Sequence, residues 1–136
     1  GGILNVSSGF GLEFMPGFAT YVGSKHYLTA WSESTRLELR SRGVVVSQLC
    51  PGPVRTEFES HLGNFTGRRP PSLIEISAER CARAAVRGFS RGRAVIVPGA
   101  TMNLVLWLGA LTPRWLKRLV YRPLADQLRR MQLRSG

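Results

Sequence analysis

The run Val44-Val45-Val46-Ser47-Gln48-Leu49, followed at once by Cys50-Pro51-Gly52-Pro53, decides how this chain folds. Its β-branched residues and its length suit a strand, and Pro51-Gly52-Pro53 ends it sharply. Residues 44–46 are apolar on both faces, as in a strand covered by helices on either side. Before it, a helix is expected from about Thr20 to Arg42, with Gly43 where a helix stop belongs. Tyr27, Leu28, Trp31, Leu37 and Leu39 are expected to form its buried face. Residues 2–7 suit a first short buried strand, and Gly9, Gly11 and Pro16 mark a loop from Ser8 to Pro16. After the central strand, residues 57–75 read as loop, broken by Gly63, Asn64, Gly67, Pro70 and Pro71. Ser77 can then cap a helix over Ala78–Ser90, without a capping box because Arg80 stands three residues on. Gly92 stops that helix, and Arg93–Val97 forms a third strand closed by Pro98-Gly99. Strand, helix, strand, helix, strand is the order of a parallel sheet with crossover helices, the α/β class.

The chain has 136 residues, which is one domain or part of one. Its 43% hydrophobic content supports a packed core and argues against global disorder. It opens on Gly1 with no charged leader, so the first strand reads as entered in its middle and the chain as truncated at its start. Cys50 and Cys81 have neither CxxC spacing nor a framework, which points to no disulfide, no metal and a reducing cytoplasm. His26 and His61 are too isolated for a metal site. The net charge of +11 is mostly arginine, spread from Arg36 to Arg134. A solvated arginine-rich surface is favoured over a nucleic-acid site, because no run of like charge concentrates the field.

Residues 101–136 differ from the rest. Met102 to Leu108 is apolar, and beyond Pro113 comes a basic, helix-like stretch holding Arg114, Lys117, Arg118, Arg122, Arg129, Arg130 and Arg134 against Asp126. The apolar run is well short of the roughly 20 residues that span a bilayer. Packing on the domain or on a dimer partner is favoured, with peripheral contact to an anionic membrane as the alternative.

The chemistry-bearing segment is Tyr21-Val22-Gly23-Ser24-Lys25. On a helix, positions i and i+4 share a face. A free phenol, with a pKa of about 10, exchanges protons poorly near neutrality, and a nearby ammonium group favours its ionised form. Such a pair is a workable general acid/base. Alone, a tyrosine and a lysine at this spacing more often mark an ordinary helix surface. Here Asn5-Val6-Ser7-Ser8 stands upstream at a strand end, Gly17-Phe18 lies just before the helix, and Pro51-Gly52-Pro53-Val54-Arg55-Thr56 follows the next strand.

Together these segments resemble the short-chain dehydrogenase/reductase family, whose Asn-x-Ser-Ser, Tyr-x-x-x-Lys and Pro-Gly-x-x-x-Thr signals occur in this order and spacing. The resemblance covers residues 1 to about 100. It implies a Rossmann-like, doubly wound parallel sheet, of which this chain is the C-terminal portion, the N-terminal half being absent. Residues 1–100 would be the C-terminal half of the NAD(P)-binding domain, and 101–136 a basic, partly apolar helical extension. The resemblance implies that Ser8, Tyr21 and Lys25 are catalytic. Tyr21 would exchange a proton with the substrate oxygen, Lys25 would assist it and bond the nicotinamide ribose, and Ser8, rather than Ser7, would hold the substrate carbonyl. Tyr21, Lys25, Pro51, Gly52, Val54 and Thr56 would contact the cofactor, NADP ahead of NAD. Residues 57–75 would form the substrate loop, with Phe58, Leu62 and Phe65 as apolar lining beside Ser8.

The implied function is hydride transfer between a nicotinamide and a carbonyl/alcohol pair, on an apolar or lipid-like small molecule and thus in lipid metabolism. The protein is expected in the cytoplasm, as a homo-oligomer when complete and without a nucleic-acid partner. The family's Gly-rich phosphate turn, its NAD/NADP-selecting residue and its catalytic asparagine do not occur in these 136 residues. The segment alone is therefore expected to be unstable or inactive. Two other readings stand beside this one. An epimerase or dehydratase of the same superfamily would recycle its cofactor internally. A non-catalytic basic module would bind membrane or nucleic acid and carry the motif as a relic.

Overall fold

The computed structural model describes residues 1–55 and 74–134. Three parallel strands form the central sheet: β1 (Gly2–Val6), β2 (Val45–Leu49) and β5 (Val95–Ile96), in the order β1-β2-β5. Gly2 pairs with Val45 through to Val6 with Leu49, and Gln48 and Leu49 pair with Val95 and Ile96. The crossovers are α1 (Ala19–Leu39) and α2 (Ala78–Ser90). The bounds of α2 are those read from the sequence, and Ser77 Oγ accepts from the Arg80 amide at its start. A short 3-10 turn, Arg40–Arg42, prolongs α1, and Gly43 then ends it in the left-handed region at φ 66°. That conformation costs glycine no Cβ clash, which is why the helix stops there.

The two helices cover opposite faces of the sheet, because successive strand residues point to opposite sides. Asn5 and Gln48 face α1, where Asn5 Nδ2 donates to Ser32 Oγ at 2.9 Å and Gln48 Nε2 to Glu33 Oε1 at 3.0 Å. Leu49 joins Ile76, Cys81, Ala85 and Ile96 in the apolar core, with Leu4, Val54 and Phe89 packed against it. Cys81, Ala85 and Gly88 stand on one stripe of α2, so that helix seats on this core. The sheet is thus doubly wound, as expected from the alternation of elements.

The expected apolar face of α1 is corrected by the structure. Tyr27 is 70% exposed, Leu37 72% and Trp31 41%. Val22 and Ser32 are the buried positions, and Arg36 reaches under the helix to donate to the Val46 and Gly92 carbonyls at 2.5 and 2.7 Å. The helix meets the sheet through polar side chains because the sheet presents Asn5 and Gln48 there. Hydrophobic periodicity cannot see an interface built that way. Ser47 and Gln48 are likewise buried in β2, 0% and 1% exposed.

A second, two-stranded parallel ladder joins β3 (Val54–Arg55) to β4 (Ile76–Ser77), pairing Val54 with Ile76. The sequence reading placed this region in a loop over 57–75; its base is pinned by the ladder. The tail forms α3 (Ala100–Leu111) and α4 (Arg114–Arg134), separated at Pro113. Among the described residues, no helix is long and apolar enough to cross a membrane.

Candidate active site

The site forms at the carboxyl edge of the sheet, where ligands of open α/β folds bind. Ser7 and Ser8 follow β1 directly and are buried, 4% and 8% exposed. Their two hydroxyls are set differently. Ser7 Oγ lies between the Lys25 carbonyl, to which it donates at 3.4 Å, and the Cys50 thiol. Ser8 caps a 3-10 turn, Gly9–Gly11, by accepting from the Phe10 amide at 3.2 Å. An oxygen that accepts a backbone N–H keeps its own proton to donate elsewhere.

Tyr21 and Lys25 stand on the first turns of α1. Lys25 Nζ lies 5.5 Å from the Tyr21 ring centroid and donates to the Val6 carbonyl at 3.4 Å. That bond uses one of three ammonium donors, leaving two for a ligand. Phe10 meets Tyr21 edge-on at 6.2 Å and stacks on Phe18 at 5.8 Å. The sequence reading missed Phe10; its signal was an aromatic two residues beyond Ser8.

Pro51 and Gly52 lie at the end of β2, tied to the serine turn by the Gly9 amide, which donates to the Pro51 carbonyl at 2.7 Å. Ser8, Tyr21, Lys25, Pro51 and Gly52 are therefore brought to one edge. The Val54 side chain packs on the apolar core. Thr56, Phe58, Leu62 and Phe65 lie outside the described residues. A groove of about 390 Å³ lined by Arg36, Leu37, Arg40, Gly43, Val44 and Val45 sits at the opposite, amino end of the strands, away from these groups.

Cys50, fully buried beside the site, is a free thiol, as is the buried Cys81. Burial pushes the Cys50 thiol up from 9.0 to about 11, opposed by its hydrogen bond with Ser7. The unfolded chain loses this proton near pH 9 while the folded chain keeps it. Stability is therefore full below pH 9 and falls as pH rises through 11, by about 2–3 kcal/mol on this account. Chemical denaturation of wild type and Cys50→Ala at pH 8 and pH 11 checks this. A parallel loss in both proteins would contradict it.

A family model described as short chain dehydrogenase matches residues 1–66. An uncharacterized oxidoreductase of Escherichia coli, YbbO, is 41% identical over 78 residues, 57% of this chain and 29% of its own. A short-chain dehydrogenase from Burkholderia cenocepacia, solved in complex with NADP, superposes with a TM-score of 0.72 at 24% identity, over 90% of this chain and 49% of that one. One from Sphingobium yanoikuyae, solved in complex with NADPH, superposes with a TM-score of 0.64 at 27% identity, over 81% and 43%. Over its first 66 residues, just under half of its length, the chain is similar to the short-chain dehydrogenase/reductase family. It spans no more than about half the length of these relatives, 29% to 49% in the matches.

Proposed function

We propose that this chain is the catalytic half of a nicotinamide-dependent oxidoreductase that interconverts a carbonyl and the corresponding alcohol. The observation that carries the reading is the convergence of three groups at the sheet's carboxyl edge: the Ser8 hydroxyl with its proton available, the Tyr21 phenol and the Lys25 ammonium. The nicotinamide, when bound, supplies or accepts the hydride. Ser8 donates a hydrogen bond to the substrate oxygen and stabilises the negative charge that develops there. Tyr21 hands that oxygen a proton in the reductive direction and removes it in the oxidative one. Lys25 favours the ionised phenol and binds the ribose. Pro51, Gly52 and the backbone at Val54 border the nicotinamide, and Thr56 binds its carboxamide.

NADP(H) is assigned ahead of NAD(H), in line with the NADPH-bound Sphingobium relative. The substrate class is an apolar, lipid-like ketone or alcohol, with Phe58, Leu62 and Phe65 as its lining. Turnover requires the Gly-rich phosphate site that the family carries ahead of this segment, so the 136 residues by themselves are assigned no activity. The open outer edge of β1, with Ile3 36% and Val6 59% exposed, suits pairing with a further strand of that half. Absorbance of the full-length protein's nicotinamide with a panel of ketones and secondary alcohols tests the reaction. Product formation without net nicotinamide change would point instead to an epimerase or dehydratase.

Two surfaces suit partners. Tyr27 and Trp31, one turn apart on the outer face of α1, are assigned to a second copy of the chain, and a monomeric mass by light scattering would refute that. The tail exposes Leu104, Val105, Trp107, Leu108, Leu111 and Trp115, and further along it the basic side chains Arg118, Arg122 and Arg129. Apolar side chains followed by arginine suit the boundary of an anionic bilayer, contacted from the cytoplasm. With about 1 kcal/mol per basic residue near the surface, anionic vesicles should be bound about 10²-fold more tightly than neutral ones. Vesicle pelleting at low and high salt measures this, and equal binding to both would refute the contact.

A further inference from the structure

The loop from Gly9 to Phe18 joins Ser8 to Tyr21, and beyond its first turn it contains no helix or strand. The Gly11 and Leu12 amides bond back to Ser8 and Gly9, and the Val22 amide bonds to Phe18 at the start of α1. The tail runs alongside this loop in matching order. Met102 and Leu106 pack on Gly9, where Met102 Cε would stand 2.9 Å from an added Cβ. Glu13 lies against Gly109 and accepts both bonds from Lys117 Nζ, at 2.5 and 2.6 Å. Phe14 meets the Tyr121 ring edge-on at 5.5 Å. Leu128 Cδ1 would stand 3.0 Å from a Cβ at Gly17. Met102 also covers Gly52, so one side chain touches both the serine turn and the Pro-Gly turn.

The Glu13–Lys117 pair is a charged contact of this seam, with Arg114 over the Phe14 ring beside it. Each side chain is only 13% exposed, and the Phe14 ring lies 5.9 Å from the ammonium. Burial raises the Tyr121 phenol beside it, and the Glu13 charge adds to that rise. A charge pair so enclosed is costly to break, because the partner left behind stays buried and unpaired. Its spacing is long in sequence, 104 residues, while its place is in the middle of the link between two catalytic side chains.

We infer that the tail is a positioning element of the active site, and that Lys117 acts through Glu13 as the latch holding the Gly9–Phe18 loop, and with it Ser8 and Tyr21, in register. The inference rests on the roles proposed above for Ser8 and Tyr21. Displacement of a reacting group by about 1 Å costs on the order of 10²-fold in rate. Lys117→Met in the full-length enzyme should therefore lower kcat by about that factor and leave the KM for the nicotinamide unchanged. Amide hydrogen exchange in residues 9–18 should rise in the same variant. Lys117→Arg should keep most of the rate, and the swap of Glu13→Lys with Lys117→Glu should restore both rate and protection. Unchanged exchange and kcat in Lys117→Met would overturn the latch. Raised exchange with unchanged kcat would overturn the positioning role. A misfolded single variant is covered by the swap: a folded swap protein without recovery of kcat also overturns it. Failure of the dehydrogenase reading itself would show separately, as full turnover in Tyr21→Phe, while the exchange data still decide whether the pair holds the loop.

Discussion

Turnover of the full-length enzyme should fall by about 10²–10⁴-fold when Tyr21 is replaced by Phe, the range that a positioned general acid/base contributes. The substitution keeps the ring and removes one oxygen. Phe10 and the Lys25 ammonium contact the ring and not the hydroxyl, so the local packing survives. The melting temperature should therefore change little. The loss should fall on kcat, because proton transfer belongs to the chemical step. Following nicotinamide absorbance with saturating ketone measures it. Activity within a few fold of wild type would remove Tyr21 from the mechanism, and with it the reading of this edge as an active site.

The second large effect is expected at Gly11, in the turn after Ser8. A Cβ there would lie 2.6 Å from Thr29 Oγ1, 2.7 Å from Ser7 Oγ and 2.9 Å from the Lys25 carbonyl oxygen. The last contact is backbone in the middle of a helix turn, so it cannot rotate aside. Gly11→Ala should then push the serine turn away from α1, or the helix away from the turn. Overpacking of this kind costs about 1–3 kcal/mol. Because the displaced groups carry Ser8 and Lys25, kcat should fall as well, on the order of 10²-fold. Gly23→Ala is the matched control: it lies between Tyr21 and Lys25, and nothing stands within 4 Å of an added Cβ. In a helix interior that change should stabilise by about 0.5–1 kcal/mol. Thermal melts and rates of the two variants decide the matter. Equal behaviour would show that the turn tolerates a side chain and is not held against the helix.

The glycine contrast shows where sequence reading stops. Gly11 and Gly23 look alike as letters, each small and each near a motif. One is enclosed by three oxygens and the other is open, and only the packed structure separates them. The same holds for the tail. Its basic character and its break at Pro113 were legible, but the pairing of Glu13 with Lys117 spans 104 residues. Nothing in local composition links those two positions.

The sequence by itself determined the alternation of strands and helices, the stops at Gly43 and Gly92, the exact span of α2, and the three short motifs that mark the family. These are local properties, set by β-branching, turn residues and spacing along a single element. Tertiary structure alone decided which face of α1 is buried, and it chose Ser32 and Arg36 over Tyr27 and Trp31 because the sheet below is polar at Asn5 and Gln48. It gave Ser7 and Ser8 different hydrogen-bond partners. It also placed the tail along the Gly9–Phe18 loop. Burial, hydrogen-bond direction and long-range charge pairing depend on what lies across the fold, and no stretch of chain carries that information alone.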